Sequence, residues 1–312
     1  MRRLLASAAL AVALSAVPAA AADKLTVLLD WFVNPDHAPL IIARDNGMFA
    51  AQGLEVELVA PADPSAPPRL VAADQGDIAV SYQPQLHLAV KEGLPIVRFA
   101  TLVETPLNTV IALDGGPVKS LADLKGKKIG YSVAGFEDAV LGAMLETAGV
   151  KLADVTLINV NFALTAALVS GQVDAVVGGF RNFEATELEL AGKKGLAFFP
   201  EENGVPAYDE LIYVTAKAKA ADPRLPRFVA AVEAATLWMA NHPGEAWEVV
   251  KRSDAKLDDE LNRRAFFDTL PRFAKRPGAL DVGRTERLAA FLKARGLIDV
   301  VPPMADYAVA VK

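Results

Sequence analysis

Apolar and polar positions alternate along the chain in a way that predicts short strands and amphipathic helices in regular succession. Leu25–Asp30 reads as a buried strand, and Ala38–Phe49 places Leu40, Ile41, Ile42, Met48 and Phe49 at near-helical spacing. Between them Trp31–His37 is a polar, proline-containing loop. Leu54–Ala60 alternates as a second strand, and the proline-rich loop Pro61–Pro68 leads through a short helix, Pro68–Asp74, to a third strand, Ile78–Ser81. A helix over Gln83–Glu92, closed by Gly93, precedes strands at Ile96–Glu104 and Thr109–Leu113. The pattern then restarts, with Ser120 three residues before Asp123 as a modest capping signal. Strands are predicted at Ile129–Val133, Val155–Val160, Asp174–Val177 and Leu196–Phe199, with helices at Phe136–Thr147, Leu164–Ser170 and Asn182–Ala191. After a last strand, Leu211–Thr215, the chain reads as helices at Leu225–Asn241, Gly244–Lys251, Asp258–Leu270 and Arg284–Ala294. Strands alternating with helices predict an α/β protein with parallel sheets covered by helices.

One internal echo bears on domain count. Val71–Val80 (VAADQGDIAV) matches Leu168–Val177 (LVSGQVDAVV): the end of a helix, a tight polar turn with Gln and Asp at equal places, and a short apolar strand. It falls at equivalent points of two successive α/β patterns. Two similar lobes are expected, the second inserted into the first: 23–110 as the first part of lobe I, 111–211 as lobe II, and 212–312 as the mostly helical second part of lobe I. Ligands of parallel sheets sit beyond the carboxyl ends of strands. The segments just past the echoed strands, Ser81–His87 and Gly178–Glu184, and the loop Trp31–His37 are therefore expected to share one cleft.

The ends and the composition narrow the class. Residues 1–22 read as a secretory signal peptide: Arg2 and Arg3, an apolar run Leu4–Val17 too short to span a bilayer, then Ala20–Ala22 before Asp23. Without Arg2 and Arg3 the net charge moves from −6 to −8, with 30 basic against 38 acidic residues spread along the chain. No basic stripe marks a nucleic-acid binder. The chain has no cysteine, which excludes a lipid-anchored cysteine, a disulfide framework and thiolate metal sites. Three histidines, His37, His87 and His242, lack zinc-ligand spacing, and no nucleophile elbow or phosphate loop is present, so neither a metal nor a cofactor is expected.

The expected rim is aromatic (Trp31, Tyr82, Phe136, Phe180, Tyr208) and neutral or acidic (Asn34, Gln83, Gln85, Asn108, Glu184, Glu210), with Arg181 and two histidines, His37 and His87, as its only basic candidates. An anion site would call for arginine, lysine or a glycine-rich helix start. Aromatic walls and a carboxylate suit a flat, nitrogen-bearing ring. Stacking contributes about 0.5–1.5 kcal/mol per aromatic partner beyond burial, and a hydrogen bond to an ionised carboxylate about 1.5–3 kcal/mol. With burial these reach micromolar binding, about −8 kcal/mol. Each residue also has a plain reading. Trp31 and Tyr82 would serve as packing aromatics, His37 as a loop bridge, His87 as a core histidine and Glu184 as a solvated charge beside Glu187 and Glu189. Trp238 and Trp247 read as packing, and Arg263-Arg264 as a solvated face.

Several segments resemble a known family. Leu29–Phe32 with Asn34–His37, Gly47-Met48-Phe49, Gly76–Ile78 with Ser81–Gln83, Pro106–Asn108, Leu121–Gly130, Gly179–Glu184 and Gly204–Leu211 are similar to bacterial periplasmic proteins that bind thiamine pyrimidine precursors for ABC importers. The likeness covers nearly the whole chain after residue 22. LKGKKIG is shared by many binding proteins, while the Asp-Trp-Phe…Asn-Pro-Asp-His and Phe-Arg-Asn-Phe-Glu segments are more specific. Val33 stands where family members often carry proline. The resemblance implies a type II periplasmic binding protein, two lobes closing on a small-molecule pyrimidine, with an ABC importer permease as partner. It implies a periplasmic monomer and no catalysis. It also implies ring stacking and Asn/Glu hydrogen bonds from Trp31, Asn34, Tyr82, Asn182, Glu184, Tyr208 and Glu210. His37, Gln83, His87, Asn108 and Phe136 complete the expected ligand set. Receptors for a flavin, an organosulfonate or nitrate remain as alternatives. So does a pyrimidine-forming enzyme of the same superfamily, whose consumed histidine would fall at His87.

Overall fold

The computed structural model describes residues 21–311. The expected signal peptide lies outside the described residues except for its last two positions. Among the described residues no helix is long and apolar enough to cross a membrane.

Ten strands form two five-stranded sheets. They are β1 (Asp23–Leu28), β2 (Leu54–Val59), β3 (Ile78–Ser81), β4 (Ile96–Val103), β5 (Asn108–Leu113), β6 (Lys128–Tyr131), β7 (Thr156–Asn159), β8 (Ala175–Phe180), β9 (Gly195–Phe198) and β10 (Leu211–Ala216). The sheet orders are β2-β1-β3-β10-β4 and β7-β6-β8-β5-β9. Each lobe thus repeats one design, with β1, β2, β3 and β4 matched by β6, β7, β8 and β9. Each also receives its fourth-position strand from the chain crossing between lobes.

That crossing corrects the expectation of purely parallel sheets. β10 runs antiparallel to both β3 and β4, and β5 runs antiparallel to both β8 and β9. A strand entering from the other lobe arrives without a crossover helix of its own, so it is free to run against its neighbours. Leu211–Thr215 of β10 is buried at every position, as expected for a central strand covered on both faces.

The echoed segments occupy equivalent places in register. Val27↔Ile78 and Leu28↔Ala79 pair in one sheet, and Ile129↔Ala175 and Gly130↔Val176 in the other. The shared aspartate explains the repetition. Asp77 accepts the backbone N–H of Thr26 at 3.0 Å, and Asp174 accepts that of Lys128 at 2.9 Å. Each carboxylate takes a backbone N–H of the neighbouring strand, within β1 for Asp77 and at the start of β6 for Asp174. The turns before them are left-handed at matching positions, Asp74 (φ 60°) and Gly171 (φ 75°).

The predicted helix Ala38–Phe49 is two pieces, Ala38–Asp45 and Met48–Ala51, broken at Asn46-Gly47. The C-terminal helices Arg224–Asn241, Pro243–Ser253, Glu260–Thr269 and Val282–Ala294 belong largely to the first lobe, the first two against Ala38–Asp45. Phe49 and Phe228 stack there at 5.4 Å. This places the first lobe's core directly behind the loop that succeeds β1.

Candidate functional site

The cleft is built from the segments just past the central strands of both lobes. Asp30, Trp31, Asn34 and Asp36 come from the loop after β1, and Tyr82 from the turn after β3. The second lobe supplies Glu137 at the head of helix Glu137–Thr147, with Gly178, Phe180, Phe183 and Glu184 around the end of β8. The walls surround about 360 Å³ of non-atom space, and the two lobes meet around it through Tyr82 against Phe136, Trp31 against Phe162 and Asn182 against Asp36.

The first-lobe wall is rigid because its loop closes on itself. Asn34 caps the short turn Pro35–His37: its Oδ1 accepts from the Asp36 N–H at 2.8 Å, and its Nδ2 donates to the Phe32 carbonyl at 3.1 Å. His37 is fully buried beneath. Its Nδ1 accepts the Asn34 N–H, which leaves the ring proton on Nε2 to be donated to Asp30 Oδ1 at 2.9 Å. The other oxygen of Asp30 accepts from the Tyr82 hydroxyl at 2.8 Å. Tyr82 in turn stacks on Phe136 of the second lobe, 4.8 Å apart at 19°. Trp31 reaches across as well, meeting Phe162 edge-on at 4.6 Å among Ile111, Val160 and Leu164.

The second-lobe wall carries carboxyl groups on a glycine-opened strand end. Glu137 Oε2 accepts the Ser132 N–H at 2.7 Å, and Glu184 Oε2 accepts the Phe180 N–H at 2.7 Å. Gly178 has φ +91°, and a Cβ there would collide with the Glu137 carboxyl. Burial pushes both glutamates up to about 8, against the pull of those backbone hydrogen bonds. Asp36, raised by burial to about 6, is held by Asn182 Nδ2 and Thr269 Oγ1, each at 2.7 Å. Asn182 Nδ2 also donates to Thr269 Oγ1 at 2.7 Å. Four acids line the cleft, and among the described residues no lysine or arginine does.

The expected ligand set divides accordingly. Trp31, Asn34, Tyr82 and Glu184 line the cleft. Phe136 stands directly behind Tyr82, and His37 behind Asp30. Asn182 ties the lobes together through Asp36 and Thr269 rather than lining the wall. Asn108, Tyr208 and Glu210 gather where the chain crosses between lobes. Glu210 Oε2 accepts the N–H groups of Leu107 and Asn108 at 2.5 and 2.9 Å, and burial raises its carboxyl to about 7. Gln83 holds the same region, accepting from the Asp209 N–H at 2.8 Å. His87 lies apart, beside Tyr307 at 4.8 Å, with Nε2 unpartnered among the described residues; burial lowers it to about 4. Asp30, Asp36 and Glu137 were absent from the expected set. The capping Asn-Pro-Asp sequence was a signal for Asp36 and the Asp-Trp-Phe segment for Asp30, and nothing local marked Glu137.

Comparison with known proteins places this geometry. A protein of Haemophilus influenzae named for thiamine biosynthesis is 49% identical over 297 residues, covering 95% of each chain. The formylaminopyrimidine-binding protein of Halalkalibacterium halodurans is 38% identical over 232 residues, covering 74% of this chain and 70% of that one. Among solved structures, the alkanesulfonate-binding protein of Xanthomonas axonopodis pv. citri superposes with TM-score 0.71 at 16% identity, covering 94% of this chain and 98% of that one. This likeness establishes the periplasmic binding protein fold. Residues 34–246 match the family described as NMT1/THI5 like, and the chain belongs to the NMT1/THI5-like family.

Proposed function

We propose that this protein is the periplasmic solute receptor of an ABC importer and binds an aminopyrimidine precursor of thiamine between its lobes. The observation that carries the proposal is the cleft itself, lined by aromatic rings and carboxyl groups to which both lobes contribute. Trp31, Tyr82, Phe180 and Phe183 sandwich the ring, and Glu184 takes its amino group and ring nitrogen as a charge-assisted partner. Asn34 keeps the loop in shape, and Asn182 fastens the closed arrangement. The segments 104–107 and 207–210 act as the hinge, so that ligand entry comes after lobe opening and closure presents a surface to the permease. The relative named for formylaminopyrimidine binding supports the ligand class.

The proposal extends to a monomer delivered by a cleaved signal peptide and to transport without catalysis. An organosulfonate or nitrate would face four carboxyl groups and no cation, which argues against the ligands of the structural neighbours. His87 lies outside the cleft, which argues against an enzyme that consumes it. Thermal shift and then calorimetry test the reading, with hydroxymethyl- and formylaminomethyl-pyrimidines set against flavin, taurine and nitrate. Stabilisation by the pyrimidines is expected. Stabilisation by sulfonate or nitrate alone overturns the proposal.

A further inference from the structure

Glu184 was expected at the ring, yet the cleft contains a second glutamate that the proposed contacts leave without a task. Glu137 begins a helix that packs on β8 and is 3% exposed, its carboxyl group occupying the space that a side chain at position 178 would fill. Its only hydrogen-bonding donors are backbone N–H groups, as for Glu184, and among the described residues no side-chain donor reaches either carboxyl. The other two acids differ. Asp30 has both oxygens committed, to His37 and Tyr82, and Asp36 is bonded by Asn182 and Thr269. The cleft therefore holds two acids with neutral side-chain partners and two with none.

A buried carboxyl without a cation is costly when ionised, and the cost is removed by a positive group brought within hydrogen-bonding distance. Among the described residues no group of three or more His, Asp or Glu is arranged to hold a metal ion, so the positive group belongs with an organic ligand. One planar aminopyrimidine satisfies one carboxyl through its amino group and adjacent ring nitrogen. It leaves the other unanswered unless it bears a second donor.

We propose that Glu137 is a specificity-determining residue that seats a cationic arm on the ligand, so that the preferred occupant is an aminopyrimidine bearing an aminomethyl group rather than a neutral hydroxymethyl or formylamino group. This rests on the pyrimidine reading above and narrows it. The groups facing Glu137 agree with a cationic arm: Glu184 and Asp138 from their helices, Asp30 and Asp36 from the loop after β1, and the Tyr82 hydroxyl, with no lysine or arginine lining the same space. In this closed arrangement burial raises Glu137 to about 8, which favours its protonated form at pH 7, and an ammonium docking against the carboxyl displaces that proton.

The test is calorimetry at pH 7 with three 4-amino-2-methylpyrimidines that differ only at position 5: aminomethyl, hydroxymethyl and formylaminomethyl. The aminomethyl compound is expected to bind about tenfold to a hundredfold more tightly than the hydroxymethyl compound. In Glu137→Gln the ratio of aminomethyl to hydroxymethyl affinity should fall to about one. Should that variant fold poorly, the parent protein still decides. Titration in two buffers of different ionisation enthalpy should show about one more proton released with the aminomethyl compound than with the hydroxymethyl one. Equal affinities, a preference for the formylated compound, a gap that survives Glu137→Gln, or equal proton release each overturn the inference and leave the pyrimidine reading standing. Binding of none of the three overturns both.

Discussion

The ends of β3 and β8 are the same piece of architecture put to different use. Both come after a helix, a left-handed turn and an aspartate that takes a backbone N–H of the neighbouring strand, and both sit third in their sheets. Beyond Val80 the first lobe continues Ser81-Tyr82 and sends out an aromatic ring tied to Asp30. Beyond Val177 the second lobe continues Gly178-Gly179 and sends out nothing, which lets the Glu137 carboxyl from a neighbouring helix fill the gap. The shared part holds sheets together, and the difference lies wholly in the first residues past it. Duplicated scaffolds diverge where a side chain stops answering to the sheet.

The strongest way to break the comparison is at the matched positions 81 and 178. Gly178→Ala should cost about 3 kcal/mol of stability through a strained φ and a collision with Glu137, and should abolish tight ligand binding. Ser81→Ala loses one buried hydrogen bond, to Gln85, and should cost about 1 kcal/mol with binding retained. Urea unfolding with ligand titration measures both, and equal losses would erase the distinction.

Trp31→Ala comes next. Because Trp31 packs against Phe162 of the other lobe, it should lower affinity about thirtyfold or more and loosen the closed arrangement as well. Calorimetry with small-angle scattering separates the effects. Unchanged affinity with an opened envelope would make it a lobe contact only.

A pH profile sharpens the contrast between the walls. The second-lobe glutamates titrate near 8 in the folded protein and at the ordinary 4.5 when exposed. The folded state therefore binds more protons across that interval, and stability should fall as pH rises from about 5 to about 8. Glu137→Gln should flatten the fall, measured as melting temperature against pH. A profile rising over that window would show these acids to be ionised.

The smallest expected contrast lies between the shared aspartates. Asp77 also receives Arg224 at 2.9 Å and Lys219 at 3.3 Å, so Asp77→Ala should cost about 2 kcal/mol. Asp174 has no such partners among the described residues, and Asp174→Ala should cost about 1 kcal/mol. Equal costs in urea unfolding would show the backbone hydrogen bond alone to matter.

The duplicated part was legible in the sequence because its cause is local. An aspartate before a short apolar strand, preceded by a helix end and a tight turn, carries its hydrogen bond wherever it occurs. Trp31, Tyr82 and Glu184 were legible for the same reason, lying just past predicted strand ends. Two features were not. The direction of β5 and β10 depends on which neighbours a crossing strand finds, which no periodicity records. Glu137 opens a helix with Asp138 beside it and reads as a solvated pair. Its burial depends on a glycine 41 positions later. His87 carried two readings, ligand and core histidine, and the residue it packs beside, Tyr307, lies at the far end of the chain where no local pattern shows it.

The placing of β10 between β3 and β4 also governs how the protein is made. The first sheet has a slot in its middle from the time Val103 is synthesised until Leu211 arrives, because the strand that fills it lies beyond the whole of the second lobe. Until then both β3 and β4 present bare backbone edges to whatever is nearby. The second lobe has no such delay: its inserted strand, β5, leads its own sequence and is waiting when β8 and β9 emerge. The newborn chain can therefore complete its later half first, while the earlier half waits as an open-edged sheet.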